Sequence, residues 1–204
     1  MKILFCFLLS FIAFIAHAQR GVHADLIGSS KEVAMNEFRV EFKKRTIGTY
    51  KVTKYQKADS VVYAASSEIK FHFFGPLHVK YELQGIFVRD TLVMSKVKTY
   101  RNGTLSSETT TSLEDAHYKL MKNGKLSILD RDNIKRSVVQ LYHEPPVNGE
   151  RVYSEGDGSF KQVSEIYSSE FKVGNVNPSI FKYRGNQLNR VDITFKPVKY
   201  SIVR

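Results

Sequence analysis

The chain has 204 residues, and its 31 Lys or Arg against 20 Asp or Glu give a formal net charge of +11 at pH 7. This charge favours an acidic partner such as an acidic envelope component, but no nucleic-acid-binding motif accompanies it, so no nucleic-acid partner is expected. The single cysteine, Cys6, lies in the apolar N-terminal stretch, which excludes a disulfide framework and a cysteine nucleophile from the residues that follow.

The N-terminus has the three-part order of a secretory signal peptide. Lys2 supplies the positive charge, residues 3–15 are almost entirely apolar, and the small-x-small cleavage pattern ends at Ala18. The apolar run is shorter than the roughly 20 residues that a membrane-spanning helix needs. We therefore predict that residues 1–18 are removed before Gln19, that the protein is exported to the periplasm or the extracellular space, and that no transmembrane anchor remains after cleavage.

After a loose lead-in over residues 19–35, the pattern predicts a single antiparallel β domain over 36–204. Apolar and polar residues alternate most clearly over 77–84, as in an antiparallel sheet with one buried and one wet face. After Gly85 the apolar residues Ile86 and Val88 have the opposite parity, which predicts a β-bulge near Gly85 that would bring both back to the apolar face. Similar patterns predict strands at Phe38-Val40-Phe42, Ile69-Phe71-Phe73 and Val191-Ile193-Phe195, and over 46–56, 60–65, 91–101, 104–112, 117–122, 125–129, 160–173, 179–184 and 198–203.

Two-residue turns indicate that neighbouring strands form hairpins. Asn102-Gly103 and Asn123-Gly124 are the strongest signals, because both positions of the favoured hairpin turn need positive φ. Gly185-Asn186 is a third signal of this kind. The turns predict three apolar cross-strand pairs: Tyr100 with Leu105, Met121 with Leu126, and Tyr183 with Leu188.

One segment, residues 132–143, breaks the strand rhythm. Its apolar residues recur at helical spacing, Asp132 or Asn133 is available as an N-cap and two prolines follow it, which predicts a short amphipathic helix. A strand is the alternative, since Val138 and Val139 are β-branched. Because a long series of antiparallel strands curls, the expected fold is all-β and mainly antiparallel. It is a curved meander sheet forming an open or closed barrel-like domain, with one short helix near 132–143.

Several short motifs give the chain a family resemblance. They are Ile47-Gly48-Thr49-Tyr50-Lys51-Val52, Leu141-Tyr142-His143-Glu144-Pro145, Ser154-Glu155, Gly158-Ser159-Phe160, and Phe181-Lys182-Tyr183 before the Gly185-Asn186 turn. With them, residues 36–204 resemble a family of uncharacterised exported proteins of Bacteroidetes-type bacteria. More distantly, they resemble the periplasmic half-barrel lipoprotein carriers LolA and LolB. The carrier resemblance implies an open β-barrel whose concave apolar face accepts an acyl chain, and it implies no catalytic residue.

The usual signatures of catalysis and metal binding are incomplete. His143-Glu144 lacks the second histidine of a zincin motif, and the calcium-loop pattern that begins at Asp130 fails at Ile134 and Lys135. No nucleophile elbow, Walker motif or dinucleotide fingerprint occurs. We therefore expect no catalytic residue, no metal site and no cofactor.

Three functional hypotheses follow. The leading one is a non-catalytic cell-envelope protein that binds a lipid or another apolar or amphipathic ligand in its curved sheet, lined by Phe71, Phe73, Val79, Tyr81, Leu83 and Tyr142. The same side chains fill the core if the barrel is closed. The second is a structural or interaction module that binds acidic polysaccharide or protein through a basic surface made of Lys43, Lys44, Arg45, Lys51 and Lys54. The third is an unrecognised hydrolase.

Overall fold

The computed structural model describes residues 30–72, 75–129, 133–195 and 198–204. Nearly all of this part of the chain is β-structure. The strands are β1 (Lys31–Phe42), β2 (Arg45–Lys57), β3 (Ser60–His72), β4 (Pro76–Val88), β5 (Thr91–Arg101), β6 (Thr104–Glu114), β7 (His117–Lys122), β8 (Lys125–Leu129), β9 (Arg151–Ser154), β10 (Ser159–Tyr167), β11 (Glu170–Val173), β12 (Ser179–Arg184), β13 (Gln187–Phe195) and β14 (Val198–Val203). Within the described ranges, no helix has the length and apolar character needed to cross a membrane.

All of these strands lie in one antiparallel sheet. From β8 to β1 the sheet is a meander in which chain neighbours pair, and β14 to β9 form a second meander. The two meanders join where β1 pairs with β14, with Val40 opposite Ile202. Among the described residues the outer strands β8 and β9 are not paired with each other. The prediction of an all-β, antiparallel, barrel-like domain is thus confirmed, and the sheet is not closed.

The turns lie at two ends of the sheet. We call the end with the turns at 43–44, 102–103 and 123–124 the upper end, and the end with the turns at 58–59, 89–90 and 185–186 the lower end. Because the strands alternate in direction, each side chain on the concave face can be placed by its distance from these turns.

The Asn-Gly turns show why the hairpins form where the sequence predicts them. Asn102 and Asn123 have positive φ, at 49° and 48°. Each asparagine also bonds to the strand beyond its own hairpin: Asn102 Oδ1 accepts from the N–H of His78 at 2.8 Å, and Asn123 Oδ1 accepts from the N–H of Glu108 at 2.9 Å. All three predicted cross-strand pairs are confirmed, Tyr100 with Leu105, Met121 with Leu126, and Tyr183 with Leu188.

Several strand details differ from the predictions. β1 begins at Lys31, so the last residues of the expected lead-in pair with β2 inside the sheet. The predicted strand over 160–173 is two strands, β10 and β11, because the chain reverses next to Ser169, whose φ is 65°. The bulge predicted near Gly85 does not lie in β4, which pairs with β3 without a register shift. The shift is on β5, where Ile86 faces Met94 and Phe87 faces Leu92 with Val93 between them, and both Ile86 and Phe87 are buried.

The segment predicted as a helix adopts a different conformation. Residue 132 lies outside the described residues, and the chain from 133 to Ser137 is not helical. Ser137 forms a parallel bridge with Tyr153 of β9, and Val138–Tyr142 then forms one 3₁₀ helix. We call residues 133–143 the plug.

Local chemistry explains why the plug makes one tight turn. The backbone N–H of Ser137 donates to the side chain of Gln140 at 2.8 Å, which caps a short turn. Val138 and Val139 are β-branched and lose side-chain freedom in a longer helix. The turn buries Val139, Leu141 and Tyr142 against the sheet, so a short helical element lies in the predicted segment, as a 3₁₀ turn and not as the predicted amphipathic α-helix.

Tyrosine hydroxyls fix the plug at both ends. The Tyr118 hydroxyl accepts from the N–H of Ile134 at 3.0 Å and donates to the carbonyl of Leu92 at 2.8 Å. At the other end the Tyr183 hydroxyl donates to the carbonyl of Leu141 at 2.6 Å. These buried bonds satisfy backbone groups that leave the sheet pattern. The plug therefore fills the middle of the concave face and forms one core with both meanders.

Candidate functional site

Apolar side chains remain partly exposed on the concave face at the upper end. Ile69 of β3 lies opposite Val79 of β4, and alternation places both on the same face as the buried Leu83. On the second meander, Ile193 lies opposite Tyr200 and packs against the core in the same way. We call this group the cup, and its members are Ile69, Phe71, Val79, Tyr81, Ile193 and Tyr200.

Aromatic rings form the floor of the cup. The ring centroid of Tyr81 lies 6.3 Å from that of Tyr50, and the Tyr50 centroid lies 4.8 Å from that of Tyr142 in the plug. Tyr142 in turn packs edge-on against Phe38 and Phe181 from the two meanders. The plug thus closes the cup from below and separates it from the lower end of the sheet.

Burial keeps these tyrosines neutral. It raises the pKa of Tyr50, Tyr81 and Tyr142, because a phenolate there would lose its hydration, and the nearby tyrosines and Glu155 also oppose further negative charge. Burial raises the pKa of Tyr200 as well. The cup therefore presents an uncharged interior at any pH near neutrality.

A buried carboxyl group lies beside the plug. Glu155, in the turn between β9 and β10, is 2% exposed, and its Oε1 lies 3.4 Å from the backbone nitrogen of Val139. Burial raises the pKa of Glu155 to about 7, although the Ser137 hydroxyl and the plug's backbone N–H groups act in the opposite direction. These contacts assign the carboxyl group a structural role in holding the plug against β9.

A family match gives the chain its place among known sequences. The family model for a domain of unknown function, DUF6134, matches residues 38–204. The chain belongs to the DUF6134 family. The match covers almost the whole β domain predicted from the sequence. No curated protein matches the DUF6134 chain.

A solved structure shares the fold of the DUF6134 domain. It is the crystal structure of a beta-barrel-like protein of domain of unknown function DUF1849 from Brucella abortus. The TM-score is 0.52 at 9% sequence identity, and the match covers 83% of this chain and 94% of the other. At this identity the likeness shows a common barrel-like fold and carries no function from one protein to the other.

The structure brings together most of the side chains predicted to line a ligand site in the DUF6134 domain. Phe71, Val79 and Tyr81 belong to the cup. Leu83 and Tyr142 are only 6% exposed and lie beneath it as part of the filled core. The predicted lining residue Phe73 and the predicted cleavage site at Ala18 and Gln19 lie outside the described residues.

The predicted basic surface of the DUF6134 domain is divided between three places. Lys43, Lys44 and Arg45 lie together in and after the β1–β2 turn at the upper end. Lys51 is exposed on the convex face, whereas Lys54 lies on the concave face with its Nζ 5.6 Å from the centre of the Tyr63 ring. The five residues therefore do not form one patch.

The turn cluster borders the cup. The Phe42 ring, next in the chain to Lys43, lies 5.9 Å from the ring of Phe71 between centroids. Lys43 Nζ lies 5.4 Å from the centre of the Phe42 ring. Positive charge therefore stands at the rim of an apolar recess, which is the arrangement that an amphipathic anion fits.

The hydrolase hypothesis depends on titratable side chains, whose positions in the DUF6134 domain can be stated for the described residues. In these ranges no three His, Cys, Asp or Glu side chains converge closely enough to hold a metal ion. His78 Nε2 pairs with Glu68 at 3.1 Å on the convex face, where both side chains are exposed. Glu155 is committed to the plug, as described above.

Sequence reasoning did not assign the second wall of the cup. Alternation predicts the strand that holds Ile193, and a separate run predicts the strand that holds Tyr200. That these two residues share the concave face with Ile69 depends on the pairing of β1 with β14, which joins the two meanders. No local pattern specifies a pairing across such a distance in the chain.

Proposed function

We propose that this domain is a non-catalytic, exported cell-envelope protein whose cup binds an amphipathic ligand, such as a lipid with an acidic headgroup. The observation that carries the proposal is a group of partly exposed apolar side chains on a concave face that is elsewhere filled by the plug. Covering apolar surface contributes about 25 cal/mol per Å². A ligand chain inserted above Tyr50 and Tyr142 recovers this free energy in the same way as a core side chain.

The rim of the cup supports a ligand with an acidic end. Lys43, Lys44 and Arg45 lie beside Phe42, whose ring contacts that of Phe71. An acyl chain packed against the cup places its headgroup near these cations, while the cup itself contains neutral tyrosine hydroxyls. Attraction at the exposed rim increases the association rate and selects acidic headgroups, and salt screens it.

The sequence supports the cellular setting of the proposal. The signal peptide predicted over residues 1–18 would deliver the domain to the envelope, where amphipathic ligands are abundant. The resemblance to half-barrel lipoprotein carriers points to the same use of a concave apolar face.

The test is a fluorescence titration with 11-(dansylamino)undecanoic acid, a fatty acid whose dye brightens on leaving water. We expect saturable binding to the unaltered protein. Val79→Phe fills the cup with an aromatic ring and weakens binding about tenfold or more, which corresponds to at least about 1.4 kcal/mol. Val33→Phe is the matched control, because Val33 is a strand valine that is 49% exposed and is not part of the cup.

Two further measurements make the result decisive. Circular dichroism and the urea midpoint establish that both variants fold. Replacing Lys43, Lys44 and Arg45 by Gln weakens binding of the anionic probe and flattens its salt dependence, because the screened attraction is removed. Absence of saturable binding, or equal binding by Val79→Phe and Val33→Phe, would contradict the proposal.

A further inference from the structure

A second recess lies at the lower end of the sheet, on the far side of the plug from the cup. Its volume is about 320 Å³, at the small end of the range for small-molecule sites. Its walls come from Asn36 of β1, His143 at the end of the plug, the turn between β12 and β13, and Arg204 after β14. We call it the lower pocket, and it lies where the two meanders join.

The walls of the lower pocket are cationic. Arg184 and Arg204 line it, and Lys54 lies near its histidine. Within the described part of the chain, none of these three cations takes part in an ion pair. Burial, Lys54 and Arg204 lower the pKa of His143 to about 4, while Glu144 acts in the opposite direction. Glu144 is itself paired with Arg136, which does not line the pocket, so cations outnumber carboxylates around His143.

Hydrogen-bond donors are also in excess in these walls. Asn36 Nδ2 donates to the carbonyl of Tyr142 at 2.9 Å and lies 3.2 Å from His143 Nδ1, and its Oδ1 accepts from Arg204. This arrangement fixes the amide, makes His143 Nδ1 an acceptor and leaves the proton of the neutral ring on Nε2. His143 Nε2 and Arg204 Nε are buried donors without a partner among the described residues. Such walls match an acceptor-rich ligand.

We propose that the lower pocket binds a small organic anion through a phosphate or carboxylate group held between Arg184 and Arg204. Guanidinium groups match the geometry of these oxyanions and bind them with two parallel hydrogen bonds. Asn186 and Gln187 add amide donors, and Leu188 provides an apolar wall for the organic part of the ligand. The proposal does not depend on the cup.

Anion binding at this site is coupled to protonation of His143. The charged groups that face the imidazole are Lys54 from β2, Arg204 from β14 and Glu144 from the adjoining chain. An anion beside Arg204 offsets the cations that disfavour the charged imidazolium, so the pKa of His143 rises when the anion binds. A rise of one unit corresponds to tenfold tighter binding by the protonated form.

The experiment follows the His143 ring signals by NMR as a function of pH, without and with saturating sulfate, whose charge is constant over the range. We expect saturable sulfate binding and a rise of about one unit in the pKa of His143. Arg184→Gln, an exposed change, weakens binding about tenfold. Lys51→Gln removes one positive charge from the convex face, away from both recesses, and leaves the affinity within about twofold.

A parallel binding assay with lipid vesicles distinguishes a soluble anion from a lipid headgroup. If the protein binds sulfate and Arg184→Gln weakens that binding, the natural ligand is assigned as a soluble anion. Binding to phosphatidylglycerol vesicles but not to phosphatidylcholine vesicles or sulfate, again weakened by Arg184→Gln, assigns a lipid headgroup. The proposal is overturned if neither probe binds saturably, or if Arg184→Gln and Lys51→Gln weaken binding equally.

Discussion

The stability of this domain depends on the ionisation of one buried carboxyl group, Glu155. Its pKa is raised in the folded protein, so folding favours the neutral form. The stability that the protonated carboxyl group contributes is fully present below its pKa in the unfolded chain. It is lost as the pH rises through its pKa in the folded protein. Glu155→Gln keeps the shape of the neutral group and cannot ionise. We therefore expect the variant to gain stability relative to the unaltered protein as the pH increases.

The size of this effect follows from the pKa. Glu155 has a pKa of about 7 against an ordinary value of 4.5, and each unit of difference corresponds to about 1.4 kcal/mol. Ionisation therefore removes about 3 kcal/mol from the free energy of unfolding between pH 4.5 and pH 8. Any difference in how the Glu and Gln side chains bond to the backbone N–H of Val139 does not depend on pH. It therefore changes the free energy of unfolding equally at pH 4.5 and at pH 8.

Urea unfolding at a series of pH values from 4.5 to 8 provides the assay. The free energy of unfolding of Glu155→Gln minus that of the unaltered protein is expected to rise by about 3 kcal/mol across this range, mostly between pH 5 and pH 7. Glu165→Gln, an exposed change on β10, is the control and gives a flat difference. A flat difference for Glu155→Gln as well would refute the account of how the plug is held.

Three further predictions concern local geometry, and each is measured by urea unfolding at one pH. Gly48→Ala lowers the free energy of unfolding by about 1–3 kcal/mol, because its Cβ would lie 2.1 Å from the carbonyl oxygen of Glu68; an unchanged midpoint would show that β2 and β3 separate freely. Asn123→Ala lowers the free energy of unfolding by about 1 kcal/mol, because it removes the bond from the Glu108 N–H to the Asn123 side chain. Asn123→Gly, which tolerates positive φ, should lower it by a similar amount if the bond accounts for the loss. Leu141→Ala loses about 2–5 kcal/mol, because this side chain is fully buried in the plug; a loss below 1 kcal/mol would mean that the plug is not part of the core.

The hairpins could be predicted from the sequence because their chemistry is local. Asn102-Gly103 and Asn123-Gly124 fix the turn, and the turn fixes which residues face each other, as the pair of Met121 and Leu126 shows. The bonds from these asparagines to a third strand could not be predicted, since they depend on how adjacent hairpins stack. The division of 160–173 into β10 and β11 was missed because Ser169 is not a residue that usually marks positive φ.

The plug and the two recesses required the structure. The spacing of the apolar residues over 132–143 is helical, but the bridge from Ser137 to Tyr153 and the β-branched valines limit the helix to one 3₁₀ turn. The lower pocket combines Asn36, His143 and Arg204, which lie far apart in the chain and meet only when β1 pairs with β14. Register across such distances is set by the packing of the whole sheet.

The most direct test of ligand binding in the cup is native mass spectrometry of the protein purified from its own cell envelope, followed by lipid extraction. The account predicts a mature protein that carries an additional mass, removed by extraction and identified as an amphipathic molecule with an acidic headgroup. The Val79→Phe variant, purified in the same way, should carry little of this mass, whereas Val33→Phe should carry as much as the unaltered protein. The bare mass of the protein in every preparation would contradict the account.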